Sequence, residues 1–206
     1  YINFYRNRPR DDGSPRYHAF APTKSAFSNT SRFAVMEFPN KVLLLYDFKD
    51  KKPEFSVWKE PSPEAVCTHE IRDGIAFLSV KYPKTAKKNG HISFSISPGA
   101  PKVDEPFRSH YRFRYRGQGV NSIIFHLRSK DWAQQNVKYS PLHPPEEKVD
   151  MKQWQTVVGD RTYRYVKGKQ EFPTHPRDIN RIGIGLDMIP GADVVIELDE
   201  IRIVEK

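Results

Sequence analysis

The chain has 206 residues, with 34 Lys and Arg against 25 Asp and Glu, a net charge of +9. Its single cysteine, Cys67, excludes an intramolecular disulfide and a cysteine-based zinc site, and no apolar run approaches the ~20 residues of a membrane helix. A chain of this length can bury a core without such staples, as one β domain with an extension or at most two small domains. The basic balance suits either an anionic partner or a solvated basic surface.

Residues 1–40 stand apart. Arg6, Arg8, Arg10, Arg16, Lys24 and Arg32 outnumber Asp11, Asp12 and Glu37, and Asp12-Gly13-Ser14-Pro15 is a turn signal. Only Arg32 to Phe38 reads as a strand, so the segment is expected to be an irregular N-terminal linker or packed arm. Beginning at Tyr1 without an initiator Met, the chain is expected to be a piece of a longer polypeptide.

From Lys41 onward strands recur. Val42 to Tyr46 is mostly apolar, as for a strand buried on both faces. Ile75 to Tyr82 follows the turn at Asp73-Gly74, and Ile92 to Ser97 alternates cleanly up to Pro98-Gly99. Tyr111 to Arg116 alternates too, and Gly117-Gln118-Gly119 is read as the turn of a hairpin into Ile123 to Arg128. A long polar loop leads to Trp154–Val158 and Tyr163–Val166. Arg181–Leu186 and Val194–Val204, joined through Pro190-Gly191, close the chain. Period-two alternation with one apolar face, and no helix-period pattern, predicts an all-β antiparallel sandwich over 41–206.

Several of these segments carry further detail. Tyr46-Asp47-Phe48-Lys49-Asp50 leads to Trp58, and Gly74 opens the apolar run to Val80. Arg116-Gly117 ends a mid-domain strand, Trp154-Gln155-Thr156-Val157 follows, and Ile179 to Ile184 precedes Leu198-Asp199-Glu200-Ile201. This ordered set resembles the jelly-roll carbohydrate-binding modules. The resemblance implies a jelly-roll fold and non-catalytic carbohydrate binding, as an accessory module of a larger secreted protein, extracellular or periplasmic. The implied partners are a polysaccharide or oligosaccharide and neighbouring domains of the same polypeptide, with no nucleic acid and no membrane, in a monomer. In that family a Glu in the first motif and the closing-strand Asp commonly hold a structural calcium. Here Lys49 stands at the Glu position. An ammonium cannot supply the oxygen ligands calcium needs, so no cofactor is expected and Lys49 is expected to pair with Asp199.

Alternation points Tyr111, Phe113, Tyr115, Ile123, Phe125 and Leu127 to the core. It leaves Arg112, Arg114, His126 and Arg128 as a cluster on the outer face of the supposed hairpin, where arginine forks suit the carboxylate or sulfate of an acidic polysaccharide. Trp132, in the loop Ser129 to Ala133, is the expected ring platform for a sugar, with Tyr139 and His143 behind it. Trp58 and Trp154 are expected in the core. Gly183 and Gly185 would keep their strand low and leave room over the sheet.

No catalytic residue is expected. Glu197-Leu198-Asp199-Glu200 resembles the carboxylate strand of laminarinase-type hydrolases, but its third position is Arg202. A lyase would need a His or Tyr base beside a carboxylate-neutralising group, for which Arg112, Arg114, His126 and Tyr163 are the residues at hand. A structural spacer within a multidomain glycoside hydrolase is the other alternative.

Overall fold

Strands make up every named element among residues 42–49, 53–99, 101–141, 143–171 and 176–206, which the computed structural model describes. The expected arm over 1–40 lies outside these residues. In chain order the strands are β1 (Val42–Tyr46), β2 (Ser56–Trp58), β3 (Val66–Arg72), β4 (Ile75–Lys81), β5 (Gly90–Ile96) and β6 (Phe107–Ser129). Then follow β7 (Gln134–Tyr139), β8 (Val149–Asp150), β9 (Gln155–Gly159), β10 (Thr162–Val166), β11 (Lys169–Glu171) and β12 (Ile179–Glu205). The predicted all-β antiparallel sandwich is the observed fold.

Two long strands organise it. β6 and β12 pair antiparallel from Phe107↔Glu205 to Ile179↔Ser129, with register shifts between Met188 and Asp193. The expected hairpin at Gly117-Gln118-Gly119 is therefore a corner within one strand. Gly117 and Gly119 have φ of 122° and 77°, and a Cβ on either would run into the β12 backbone at Asp193–Val194 or Ala192. These glycines serve a bend with close backbone approach, which reverses nothing.

On one side of the corner, 193–205 of β12 pair with β4 and β1 on one edge and with 107–118 of β6 on the other. β3, β8 and β9 complete this back layer. On the other side, 179–188 of β12 lie between β5 and 120–129 of β6, flanked by β2, β7 and β10. This is the front layer. The two halves of β6 meet across the core: Phe113 and Tyr111 put their ring centroids 4.6 and 5.0 Å from Phe125. Tyr111, Phe113, Ile123, Phe125, Leu127, Ile184, Leu186, Ile196 and Leu198 are all at most 1% exposed. Gln135 of the front layer also turns inward, donating to the Phe107 carbonyl and accepting from Ser109, so this buried amide is satisfied. β1 departs from expectation, since Val42 is largely exposed rather than buried on both faces.

Candidate functional site

The corner in β6 separates residues expected to cluster. Because Phe113 and Phe125 face each other, Arg112 and Arg114 point out of the back layer and His126 and Arg128 out of the front layer. They lie on opposite outer faces.

On the back face the arginines are already partnered. Arg114 Nε donates to Glu197 Oε2 at 2.6 Å, Arg116 lies 3.9 Å from Glu197, and Arg112 lies 3.3 Å from Asp199. Asp199 thus pairs with Arg112 and not with Lys49, whose aliphatic stem instead covers Gly74. Trp154, expected in the core, lies half-buried outside it, with the Arg114 and Arg112 guanidinium carbons 4.6 and 5.6 Å from its ring centroid. Glu197 and Asp199 are both engaged in these pairs.

The front face has a different character. Across its middle run Ser95, Gly183 and His126 in one cross-strand row, and Ser93, Gly185 and Ile124 in a parallel row. The glycines do lower their strand, but imidazoles take up the room. A Cβ on Gly183 would lie 2.3 Å from His126 Nε2, and one on Gly185 would lie 3.2 Å from His91 Cε1. His126 is deeply set as a result. Burial, then the nearby Arg128, Arg181 and His91, hold its pKa down to about 4, so the ring is neutral at physiological pH. His91 Nδ1 donates to Asp187 at 2.7 Å, and Ser122 donates to the other oxygen of the same carboxylate. Burial works to raise the Asp187 pKa, yet these hydrogen bonds hold it below the usual range. A shallow cleft of about 440 Å³ opens here, lined by Pro61, Lys88, Asn121, Lys138 and Asp187.

Tryptophans flank this floor. Trp58, expected in the core, is 45% exposed, because Val57 takes the inward position opposite Phe94 and Trp58 lies opposite Ser93, its ring edge-on to His91 at 5.8 Å. Trp132 is 62% exposed in the tight connection to β7, and the Arg128 guanidinium covers one face of its ring at 4.1 Å. Its φ of 66° is a conformation a tryptophan rarely adopts, so the loop holds it under strain. From the Trp58 position to the Arg128 position the face spans three strand spacings and four residues, roughly 20 Å.

Tyr139 proves to be a strand residue at the end of β7, half-buried, with its ring against Phe113 and Tyr115 and its hydroxyl on Met151 Sδ. It is packing, not a platform. His143 bonds the Tyr115 hydroxyl at 2.6 Å and belongs to the same cluster. Of the expected residues the front face thus keeps His126, Arg128 and Trp132. It adds Trp58, His91, Ser122, Asp187 and Arg181, which sequence reasoning missed. Among the described residues no group of three or more His, Cys, Asp or Glu is placed to hold a metal ion.

No family model and no curated protein matches the sequence. Solved structures match the fold. The family 11 carbohydrate-binding module of cellulosomal cellulase Lic26A-Cel5E of Clostridium thermocellum is similar with a TM-score of 0.50 at 15% identity, over 81% of this chain and 95% of that one. A structure of carbohydrate-binding modules from the β-sandwich superfamily, studied for promiscuous specificity, reaches 0.51 at 13% identity, over 78% of this chain and 61% of that one. An agarase, AgWH50C, gives 0.51 at 12% identity over 80% of this chain, which spans only 24% of the agarase. At these identities the likeness is one of fold, the β-sandwich of carbohydrate-binding modules.

Proposed function

We propose that the chain binds a polysaccharide without cleaving it, on the outer face of the front layer. The observation that carries this reading is the pair of exposed tryptophans, Trp58 and Trp132, set at the two ends of a floor of Gly183, Gly185, Ser93, Ser95 and two imidazoles. Exposed indole faces accept the C–H faces of pyranose rings, and a low floor lets a chain lie across the strands. Asp187, Lys138 and Asn136 supply polar groups for sugar hydroxyls; all three lie on this face.

In its finer form the proposal names an acidic polysaccharide, bearing uronates or sulfates, and a role as an accessory module of a larger secreted protein. The net charge of +9 supports the first part. The fold shared with carbohydrate-binding modules supports the second. Hydrolysis by a serine nucleophile is disfavoured, because Asp187 stands between Ser122 and His91 and the imidazole does not bond the hydroxyl it would have to activate.

Native affinity electrophoresis against neutral, uronate and sulfated polysaccharides, at low and moderate salt, tests the reading. Wild-type protein should be retarded, Trp58→Ala and Trp132→Ala should each lose most of the retardation with unchanged melting, and no new reducing ends should form. Retardation by none of the polysaccharides, or retardation indifferent to both tryptophans, would overturn it.

A further inference from the structure

The partners of the strand arginines single out one pair. Arg108, Arg112, Arg114, Arg116, Arg164 and Arg202 each lie within 3.9 Å of a carboxylate. Arg128 and Arg181 are direct cross-strand partners on β6 and β12, on the front outer face, and neither has an ion pair among the described residues. Like charges set directly opposite each other weaken a sheet unless something compensates them. The neighbouring groups do not: His126 is a neutral imidazole, and Asp131 is engaged by Ser129, the Ala133 N–H and Arg164. The Arg128 guanidinium carbon lies 4.1 Å from the Trp132 ring centroid, which sets this charge beside the indole.

We infer that Arg128 and Arg181 form an anion subsite, which takes an oxyanion substituent (a carboxylate or a sulfate ester) of a glycan whose ring rests on Trp132. The inference rests on the glycan-binding reading and deepens it. Two adjacent forks can bind one such group through parallel charge-assisted hydrogen bonds, relieving their mutual repulsion at the same time. The arginines of the back face take no part in it.

Isothermal titration with matched oligosaccharides tests this: a uronate-bearing chain beside its carboxyl-reduced form, and a sulfated chain beside its desulfated form. Arg181 is exposed, so Arg181→Gln should fold normally, checked by its melting curve. The variant should weaken binding of at least one anionic member by about tenfold or more and leave its neutral counterpart within about twofold. Whichever pair responds identifies carboxylate or sulfate. Equal loss for anionic and neutral members, or no loss for either, overturns the subsite. If neutral chains still bind and Trp58→Ala abolishes that binding, the face stands and only the subsite falls. If wild-type protein binds no member of any pair, both readings fall together.

Discussion

Gly183→Ala is the substitution that asks most directly whether the front face is built as described. Gly183 has no positive φ, so alanine meets no backbone penalty of its own. The new Cβ, however, would lie 2.3 Å from His126 Nε2, 2.5 Å from its Cε1 and 2.9 Å from the Phe94 carbonyl oxygen. Non-bonded atoms settle near 3.5 to 4 Å, so the first two overlaps exceed about an ångström and the imidazole must leave its place. Overfilling of this kind costs roughly 1–3 kcal/mol, set against about 0.5–1 kcal/mol that alanine gains over glycine within a strand. The net expectation is a loss of about 1–2 kcal/mol. In a His126→Ala background the two imidazole overlaps are gone and the 2.9 Å approach to the Phe94 carbonyl oxygen stays, so Gly183→Ala should cost clearly less than in the wild-type background. Urea unfolding of the four proteins in a double-mutant cycle should give a coupling of about 1–2 kcal/mol. Equal cost in both backgrounds would refute the idea that this glycine exists to seat the imidazole.

Acid should destabilise the protein through its buried histidines. His126 and His110 are both held at about 4 in the fold against an ordinary 6.5, in each case chiefly by burial. The unfolded chain therefore binds more protons between those values, and stability is full above about pH 6.5 and falls as the pH drops toward 4. For His126 the loss is roughly 2–3 kcal/mol by about pH 4.5, and His126→Gln should flatten that part of the urea-midpoint profile; an unchanged slope would refute it. Arg114→Ala should cost roughly 1–3 kcal/mol, because it strips the close partner from Glu197, whose side chain is only 7% exposed. Its glycan affinity should stay unchanged, and a loss of affinity without a loss of stability would return the site to the back face. Arg181→Gln should leave the melting temperature unchanged or raise it by the equivalent of about 0.2–1 kcal/mol, and a fall would mean that Arg181 has a structural role.

Local alternation was enough to sort the two sides of most strands. Tyr111, Phe113 and Tyr115, like Ile123, Phe125 and Leu127, point inward as the period of two requires. What alternation could not decide was the relation between strands. Gly117-Gln118-Gly119 serves equally well as a hairpin turn or as a corner, and the choice depends on β12, which pairs with both flanking segments from far along the chain, as in Ile179↔Ser129 and Glu205↔Phe107. That one ambiguity placed four basic residues on a single face when they occupy two. Burial of His126 was hidden for a similar reason, since its seat is a glycine on another strand. Trp58 was misplaced because a strand of three residues carries too short a pattern to show which side is outward. Arg181 lay within an expected strand, but its meaning comes only from the residue opposite it.

The two outer faces illustrate why a count of exposed arginines is a poor guide to an anion site. An anion approaching Arg112 or Arg114 must compete with Asp199 and Glu197, and displacing the Glu197 carboxylate would strand a nearly buried charge at a cost of about 1–3 kcal/mol. The same approach to Arg128 and Arg181 displaces no carboxylate among the described residues and relieves a repulsion already present. Binding follows the difference between these free energies, not the number of guanidinium groups on view. The back face, with Trp154 against Arg112 and Arg114, has these charges satisfied internally by Asp199 and Glu197. Among the described residues the front face leaves one like-charged pair without a carboxylate and two indole rings partly exposed, which a ligand of opposite charge and ring-shaped apolar surface would cover.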